Sequence, residues 1–262
     1  MPTIVALVKH VPDTWSTKTL GEDHRINRDV DNVIDEINEF SVEQALRLRE
    51  NNPDAGFRVV ALTMGPAQAD EALRKALAMG ADAAVHVVDD QLADADALST
   101  AWTLNAALTK LAETDPVHIV VAGSQASDSQ TGLLAGLLAE YRQLPALTGV
   151  KTLNFTGDKL TGTREDARGV WEIETALPAL VTVTDKSDKP RFPNFKGLMA
   201  AKKAEVTEWS VADLGIDAIA PATQVTDSQE LPPRTAGEVI SGVSAEEAAR
   251  QIADFLAAHN LI

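Results

Sequence analysis

With 262 residues, 45% of them hydrophobic, the chain can fill one large core with extensions, and its 4% aromatic content suits helices on a buried parallel sheet better than an all-β sandwich. A formal charge of −16 sets it against nucleic acid and anionic membranes, both of which would repel it. Without a cysteine it has no disulfide, iron–sulfur cluster, thiolate zinc site or thiol nucleophile, so any redox role borrows its cofactor.

The chain enters a strand-like run at once, residues 4–8. It shows no basic leader, Arg-rich transit segment or apolar run of bilayer length, and reads as cytoplasmic and bacterial in style. Further strand-like runs at 58–64, 83–88 and 117–122 alternate with helical patterns at about 38–51, 66–79, 94–113 and 131–142. Such alternation predicts right-handed βαβ units and an α/β, Rossmann-like fold: a mainly parallel sheet with helices on both faces. The pattern at 66–79 carries its own punctuation, with Pro66 in its first turn and Gly80 where a left-handed cap is expected.

After Leu147 the segments shorten and alternate, at 151–155, 159–165 and 170–175, and predict an antiparallel extension. Residues 179–184 predict a buried strand that closes the sheet, with Pro178 at its start. Together these elements make an α/β nucleotide-binding domain over 1–184. From Asp185 the periodicity fades, and Pro190, Pro193, Pro221, Pro232 and Pro233 punctuate an extended C-terminal arm over 185–262. The arm ends in an amphipathic helix announced by the capping box Ser244 to Glu247, with Ala248, Ile252, Phe255 and Leu256 at helical spacing.

Between the strand at 117–122 and the next helical pattern lie small and hydroxyl residues, Gly123 to Gly132, with no basic side chain. Backbone N–H groups and hydroxyls converging on a helix mouth hold a phosphate, where first-turn donors are unpaired and the macrodipole favours an anion. The competing reading is an ordinary polar loop at the carboxyl edge of a sheet. The turn lacks Gly-Lys-Ser/Thr and Gly-x-Gly-x-x-Gly, which disfavours triphosphate hydrolysis. Asp128 then reads as an acceptor from a ribose hydroxyl or a backbone N–H. The turn at Met64 and Gly65 also ends a strand and opens a helix; on sequence grounds alone a simple tight turn into a helix accounts for it better, while Met64 still offers flat apolar contact to an adenine. His10, His24, His86, His118 and His259 keep no metal or triad spacing. Between residues 186 and 203 six basic residues interleave with Phe192, Phe195, Leu198 and Met199, a pattern of apolar anchors in a positive rim that reads as a protein-docking element.

Nearly end to end, a set of segments keeps its order and spacing: residues 5–13 (Val-Ala-Leu-Val-Lys-His-Val-Pro-Asp), 42–50, Gly65-Pro66, 76–82, 123–128, Arg164-Glu165, 177–179, 190–192 and 199–203. In these the chain resembles the beta subunit of electron transfer flavoproteins. The resemblance implies a heterodimer whose alpha subunit carries most of the FAD contacts. This subunit would bury an AMP, or in some relatives a second FAD, and shape one wall of the flavin cleft. It implies an electron carrier without bond chemistry of its own. Dehydrogenases such as acyl-CoA dehydrogenases would reduce it, linking it to fatty acid oxidation, and a quinone oxidoreductase or another acceptor would reoxidise it.

By position, the resemblance assigns nucleotide contacts to Leu7, Asn38, Glu39, Phe40, Ser41, Met64 and Gly65. It adds the loop Gly123, Ser124, Gln125, Ala126, Ser127, Asp128, Ser129, Gln130, Thr131 and Gly132, with the phosphate on the last three. It sets Glu165 near the flavin groove and makes residues 190–203 the loop that grips the dehydrogenase, with Phe195 as anchor and Leu198 and Met199 beside it. The chain reads Asn38-Glu39-Phe40 where the family usually has Asn-Pro-Phe, and its phosphate loop is shorter than the common pattern. The alternative reading is a stand-alone adenine-nucleotide module of the universal-stress-protein type, which has no need of the arm. A small NAD-dependent enzyme is disfavoured by the missing acid–base pair.

Overall fold

The computed structural model describes residues 1–232 and 237–262. Pro233, one of the prolines punctuating the expected arm, lies outside the described residues. The chain divides into two compact units, Met1–Asp227 and Ser228–Ile262.

In chain order the larger unit runs β1 (Thr3–Leu7), β2 (His10–Pro12), β3 (Asn32–Ile34), α1 (Glu36–Asn51), β4 (Arg58–Met64), α2 (Asp70–Met79), β5 (Ala83–Val87), α3 (Ala97–Ala112), β6 (Val117–Gly123) and α4 (Leu134–Arg142). It continues with β7 (Ala146–Thr156), β8 (Lys159–Asp166), β9 (Gly169–Ala176), β10 (Ala179–Val183), α5 (Phe195–Lys203) and β11 (Val206–Trp209). Nine strands form one sheet in the order β11-β5-β4-β1-β6-β10-β7-β8-β9. Its strands are parallel from β11 to β7 and antiparallel from β7 to β9. The expected α/β, Rossmann-like sheet with an antiparallel extension is therefore present.

The central strands are apolar on both faces because each face is roofed by helices. From β1, Ile4 and Ala6 enter one core with Val42, Leu46 and Leu73 of α1 and α2, while Val5 and Leu7 enter the other with Leu104, Leu108 and Leu138 of α3 and α4. Each fully buried Leu or Ile in these layers contributes about 1.5–3 kcal/mol relative to exposure. Gly80 caps α2 at φ 125°, a conformation that side chains with a Cβ rarely adopt, as its position after Met79 predicts.

Four expectations are corrected. The strand at 179–184 does not close the sheet. β10 inserts between β6 and β7, where an all-buried Ala-Leu-Val-Thr-Val run is at home. The edge beside β5 is covered by β11, and α5 precedes it, both inside the stretch expected to lack regular structure. The helix expected from Thr131 starts at Leu134, because Gln130 (φ 49°) and Gly132 (φ 62°) take left-handed backbone that no α-helix continues. The helix expected from Asp94 starts at Ala97, since Asp94 is left-handed and the Asp96 carboxylate caps the helix by accepting from Ser99 N–H.

In the smaller unit, α6 (Ala245–Ala258) opens as the capping box predicts, with Ser244 Oγ accepting from Glu247 N–H at 3.2 Å. No helix among the described residues is long and apolar enough to cross a membrane.

Candidate functional site

Parallel pairing brings the carboxyl ends of β1 at Leu7, β4 at Met64, β6 at Gly123 and β10 at Val183 to one edge of the sheet, where open α/β sheets bind ligands. Register sets Gly123 beside Val183, Val183 beside Val150, and Val150 beside Arg164, so the β7–β8 hairpin projects past this edge and returns through it.

The head of α1 is stitched to the end of β1. Lys9 N–H donates to Asn38 Oδ1 at 2.8 Å, and Asp35 N–H donates to the Lys9 carbonyl at 2.9 Å. Gly123 allows the close approach of β6 to this helix head: a Cβ there would stand 2.7 Å from Ile37 Cγ2 and 3.1 Å from Asn38 Nδ2. The chain then leaves β6 as a loop whose first half is pinned. Ser124 N–H donates to the Val183 carbonyl at 3.0 Å, and Ser127 N–H donates to the buried Asp35 Oδ2 at 2.8 Å. Asp128 turns its carboxylate inward, fully shielded from solvent, where Lys9 Nζ donates to it at 2.8 Å and Arg28 Nη2 donates to the other oxygen.

These two carboxyls titrate in opposite directions. Burial pushes Asp35 up, only partly offset by the Ser127 bonds, and the nearby Asp128 charge adds to the rise. Burial also works to raise Asp128, but Lys9 and Arg28 outweigh it and hold that carboxyl below its ordinary value.

The second half of the loop is open. Ser129, Gln130, Thr131, Gly132 and Leu133 are exposed, and Leu133, at the head of α4, gives its first turn no side-chain cap. First-turn N–H groups there and the Ser129 and Thr131 hydroxyls form a donor set suited to an anion.

Of the residues singled out from sequence, Leu7, Asn38 and the loop from Gly123 to Gly132 meet at the heads of β1 and β6. Leu7 packs into the core and Asn38 serves the backbone. Gln125 is exposed, while Ser124, Ala126 and Ser127 are half-buried. The rest of the α1 segment turns away. Glu39 pairs with Lys75 at 3.4 Å, Phe40 packs on the α1–α2 core, and buried Ser41 donates to the Ile37 carbonyl at 3.3 Å. Met64 packs beside the α3–α4 core, and Gly65 donates to the Val87 carbonyl at 3.1 Å. Glu165 sits on β8, three strands from β6, exposed and paired with Lys151 at 3.4 Å and Lys186 at 3.8 Å. Sequence reasoning did not single out Lys9, Arg28 or Asp35. Asp35 stands at a helix head, where an aspartate is an ordinary N-cap signal, but its partner is a loop 92 residues on.

A second surface lies over α2. Helix α5 packs so closely that a Cβ on Gly197 would stand 2.4 Å from the Ala78 carbonyl oxygen. Asn194 caps its start by accepting from Gly197 N–H at 2.8 Å, and Arg74 Nη1 donates to the Ala201 and Ala204 carbonyls at 2.8 and 2.5 Å. The segment leading in is stapled by Arg191, whose Nε and Nη2 take both oxygens of buried Glu43 at 2.7 and 3.1 Å, while Nη1 and Nη2 take those of Glu50 at 2.6 and 2.8 Å. On this clamped base Phe192 and Phe195 stand 94% and 79% exposed, with Leu198 and Met199 beside them. Open apolar side chains grouped on a braced segment have the character of a docking surface, which the positive rim expected from sequence would frame.

The electron transfer flavoprotein domain model matches residues 24–214. Over 271 aligned residues and the full length of both chains, the protein is 43% identical to electron transfer flavoprotein subunit beta of Mycobacterium leprae. Identity to the subunit of that name from Mycobacterium tuberculosis is 42%, also over the whole of both chains. It is 32% identical, over 99% of each chain, to caffeyl-CoA reductase-Etf complex subunit CarD of Acetobacterium woodii. With that fold, that edge and relatives matched from end to end, the chain belongs to the electron transfer flavoprotein family, as a beta subunit.

Proposed function

We propose that this chain is one half of a cytoplasmic electron shuttle. It pairs with an alpha subunit that holds most of an FAD, shapes one wall of the flavin cleft, and holds an AMP in its own carboxyl-edge loop. The observation that carries the nucleotide part is the half-pinned, half-open loop at 124–133. Its exposed hydroxyls and the uncapped head of α4 suit a phosphate, and at the same edge half-buried Met64, with Leu7 packed beneath, brings an apolar side chain for a purine. A second FAD carries the same adenylate end and is the alternative occupant.

Bound FAD supplies the one- and two-electron chemistry. This chain's part is positional: Glu165, held by Lys151 and Lys186, lines the flavin side of the edge, and the 190–203 platform grips the donor through Phe195, Leu198 and Met199. The donors are dehydrogenases, acyl-CoA dehydrogenases among them, and a quinone oxidoreductase is the acceptor. The chain makes and breaks no bond itself.

Coexpression with its alpha subunit, a visible spectrum and chromatography of the released nucleotides test this reading. A yellow heterodimer releasing FAD and AMP in equal amounts is expected. Two FAD and no AMP selects the second flavin, and a colourless monomer carrying ATP overturns the shuttle.

A further inference from the structure

The loop has no basic residue of its own, yet two cations reach it from far along the chain. Lys9 comes from the end of β1 and Arg28 from the connection between β2 and β3. Their side chains remain 39% and 44% exposed, while the Asp128 carboxylate between them is fully covered. Lys9 Nζ also lies 3.4 Å from Ser129 Oγ, the first residue of the open half of the loop. Arg28 Nη1 is further tied to the His10 carbonyl at 3.4 Å. In a chain of formal charge −16, two partly exposed cations are held at one loop with their charged ends gathered on a single buried carboxylate, a grouping that its composition does not suggest.

Resting on the nucleotide reading above, we propose that Lys9 and Arg28 are the cationic rim that receives the phosphate of the bound nucleotide, and that Asp128 is not a nucleotide ligand but the buried counter-ion that positions them. A carboxylate with no solvent-exposed surface, whose two oxygens already accept from two cations, is poorly placed to take a ribose hydroxyl. The cations have N–H groups to spare: an ammonium has three donors and a guanidinium five. A phosphate arriving at Ser129 to Gly132 adds to their bonds without displacing Asp128. Each such contact is a charge-assisted hydrogen bond in which both partners are ionised.

The test compares AMP with adenosine by titration calorimetry on the nucleotide-stripped heterodimer. Lys9→Met and Arg28→Met should each lose about tenfold or more in AMP affinity, the scale of one hydrogen bond to a charged group. Both should also weaken the salt dependence of AMP binding while leaving adenosine unchanged. Lys9→Arg should restore most of the AMP affinity. Asp128→Asn should leave adenosine binding intact, whereas a ribose contact would show as a joint loss of adenosine and AMP. Circular dichroism and heterodimer yield report whether each variant is folded, and Arg28→Met, farther from the strand core, stands in if Lys9→Met is not. Wild-type protein that binds AMP no tighter than adenosine, or methionine variants that bind AMP like wild type, would overturn the rim while leaving the nucleotide site standing. Wild-type protein that binds neither compound would overturn both.

Discussion

Replacing Arg191 by methionine keeps most of the side-chain stem and removes the fork that holds the segment leading into α5 to α1. The dominant effect is on Glu43, whose side chain is only 5% exposed and which loses both side-chain bonds from Arg191 while keeping the bond from the residue 191 backbone N–H at 3.1 Å and a distant contact with Arg47 at 3.9 Å. Glu50 matters less, because its side chain is 43% exposed and water replaces the lost partner. Breaking a buried pair by removing one partner costs about 3–5 kcal/mol. The retained backbone bond, the remaining Arg47 contact and the one-third exposure of Arg191 place this case near the lower end, about 3 kcal/mol. At about 2–4 °C per kcal/mol for a protein of this size, the melting temperature should fall by roughly 6–12 °C. Urea titration gives the free energy directly, and limited proteolysis should show new cleavage between residues 186 and 205. The double variant Arg191→Met with Glu43→Gln should recover most of the loss, because it removes the orphaned charge. Arg191 also holds Glu50 below its ordinary value, chiefly by direct hydrogen bonds, so that part of the stabilisation is present above the unfolded glutamate pKa of about 4.3 and fades as pH falls through the folded value. A single variant within about 0.5 kcal/mol of wild type, or a double variant no better than the single, would refute the staple.

Gly197→Ala forces a Cβ to 2.4 Å from the Ala78 carbonyl, so α5 must lift from α2; an overpacking loss of about 1–3 kcal/mol in thermal melts and weaker electron transfer from the dehydrogenase are expected. Phe195→Ala changes an exposed side chain, so stability should stay within about 0.5 kcal/mol while the KM for shuttle in a dehydrogenase-coupled dye assay rises at least several-fold. Gly123→Ala collides with Ile37 and should shift the head of α1, with a loss of about 1–3 kcal/mol by urea titration and a fall in bound nucleotide. Asp96→Ala removes the cap of α3 and the bonds to Ala222 and Thr223, costing about 1 kcal/mol. The Asp96 carboxyl is held at about 2, first by Ser99 N–H, so this difference should persist down to pH 4 and close between pH 4 and 2.

The parallel half of the fold was legible because its signal is local. Residues 58–64 form β4 over that same span, Arg58–Met64, since a mostly apolar run flanked by turn residues has few other stable fates. What escaped reading is held by tertiary contacts. Strand β11 is four residues long and half polar, too short for alternation to show, and it forms because the β5 edge is left to be paired. Helix α5 carries a glycine in its first turn and has only Ala201 buried, so its stability comes from α2, the Asn194 cap and Arg74. At the site, the exposed loop was visible as a run of small and hydroxyl residues, but its supports were not. Asp128 meets Lys9 across 119 residues and Arg28 across 100, and no local pattern encodes such a meeting.

The two halves of the loop explain each other. A segment that must leave donors unbonded for a ligand cannot also be ordered by them, so its order has to come from neighbours. Asp35 and Asp128 supply it from below, one through Ser127 N–H and the other through Lys9 and Arg28. Each support has a different response to acid. Asp35, raised mainly by burial, carries a penalty at neutral pH that is relieved as pH falls through its folded value. Asp128, lowered by its cations against the pull of burial, stabilises above the unfolded aspartate pKa of about 3.9 and loses that contribution as pH falls through its folded value. Acid therefore reaches Asp35 first, relieving the cost of its burial while removing the charge from its bond to Ser127 N–H, and unties Lys9 and Arg28 from Asp128 only at lower pH. The cationic edge of the loop should hold until the Asp128 carboxyl itself takes a proton.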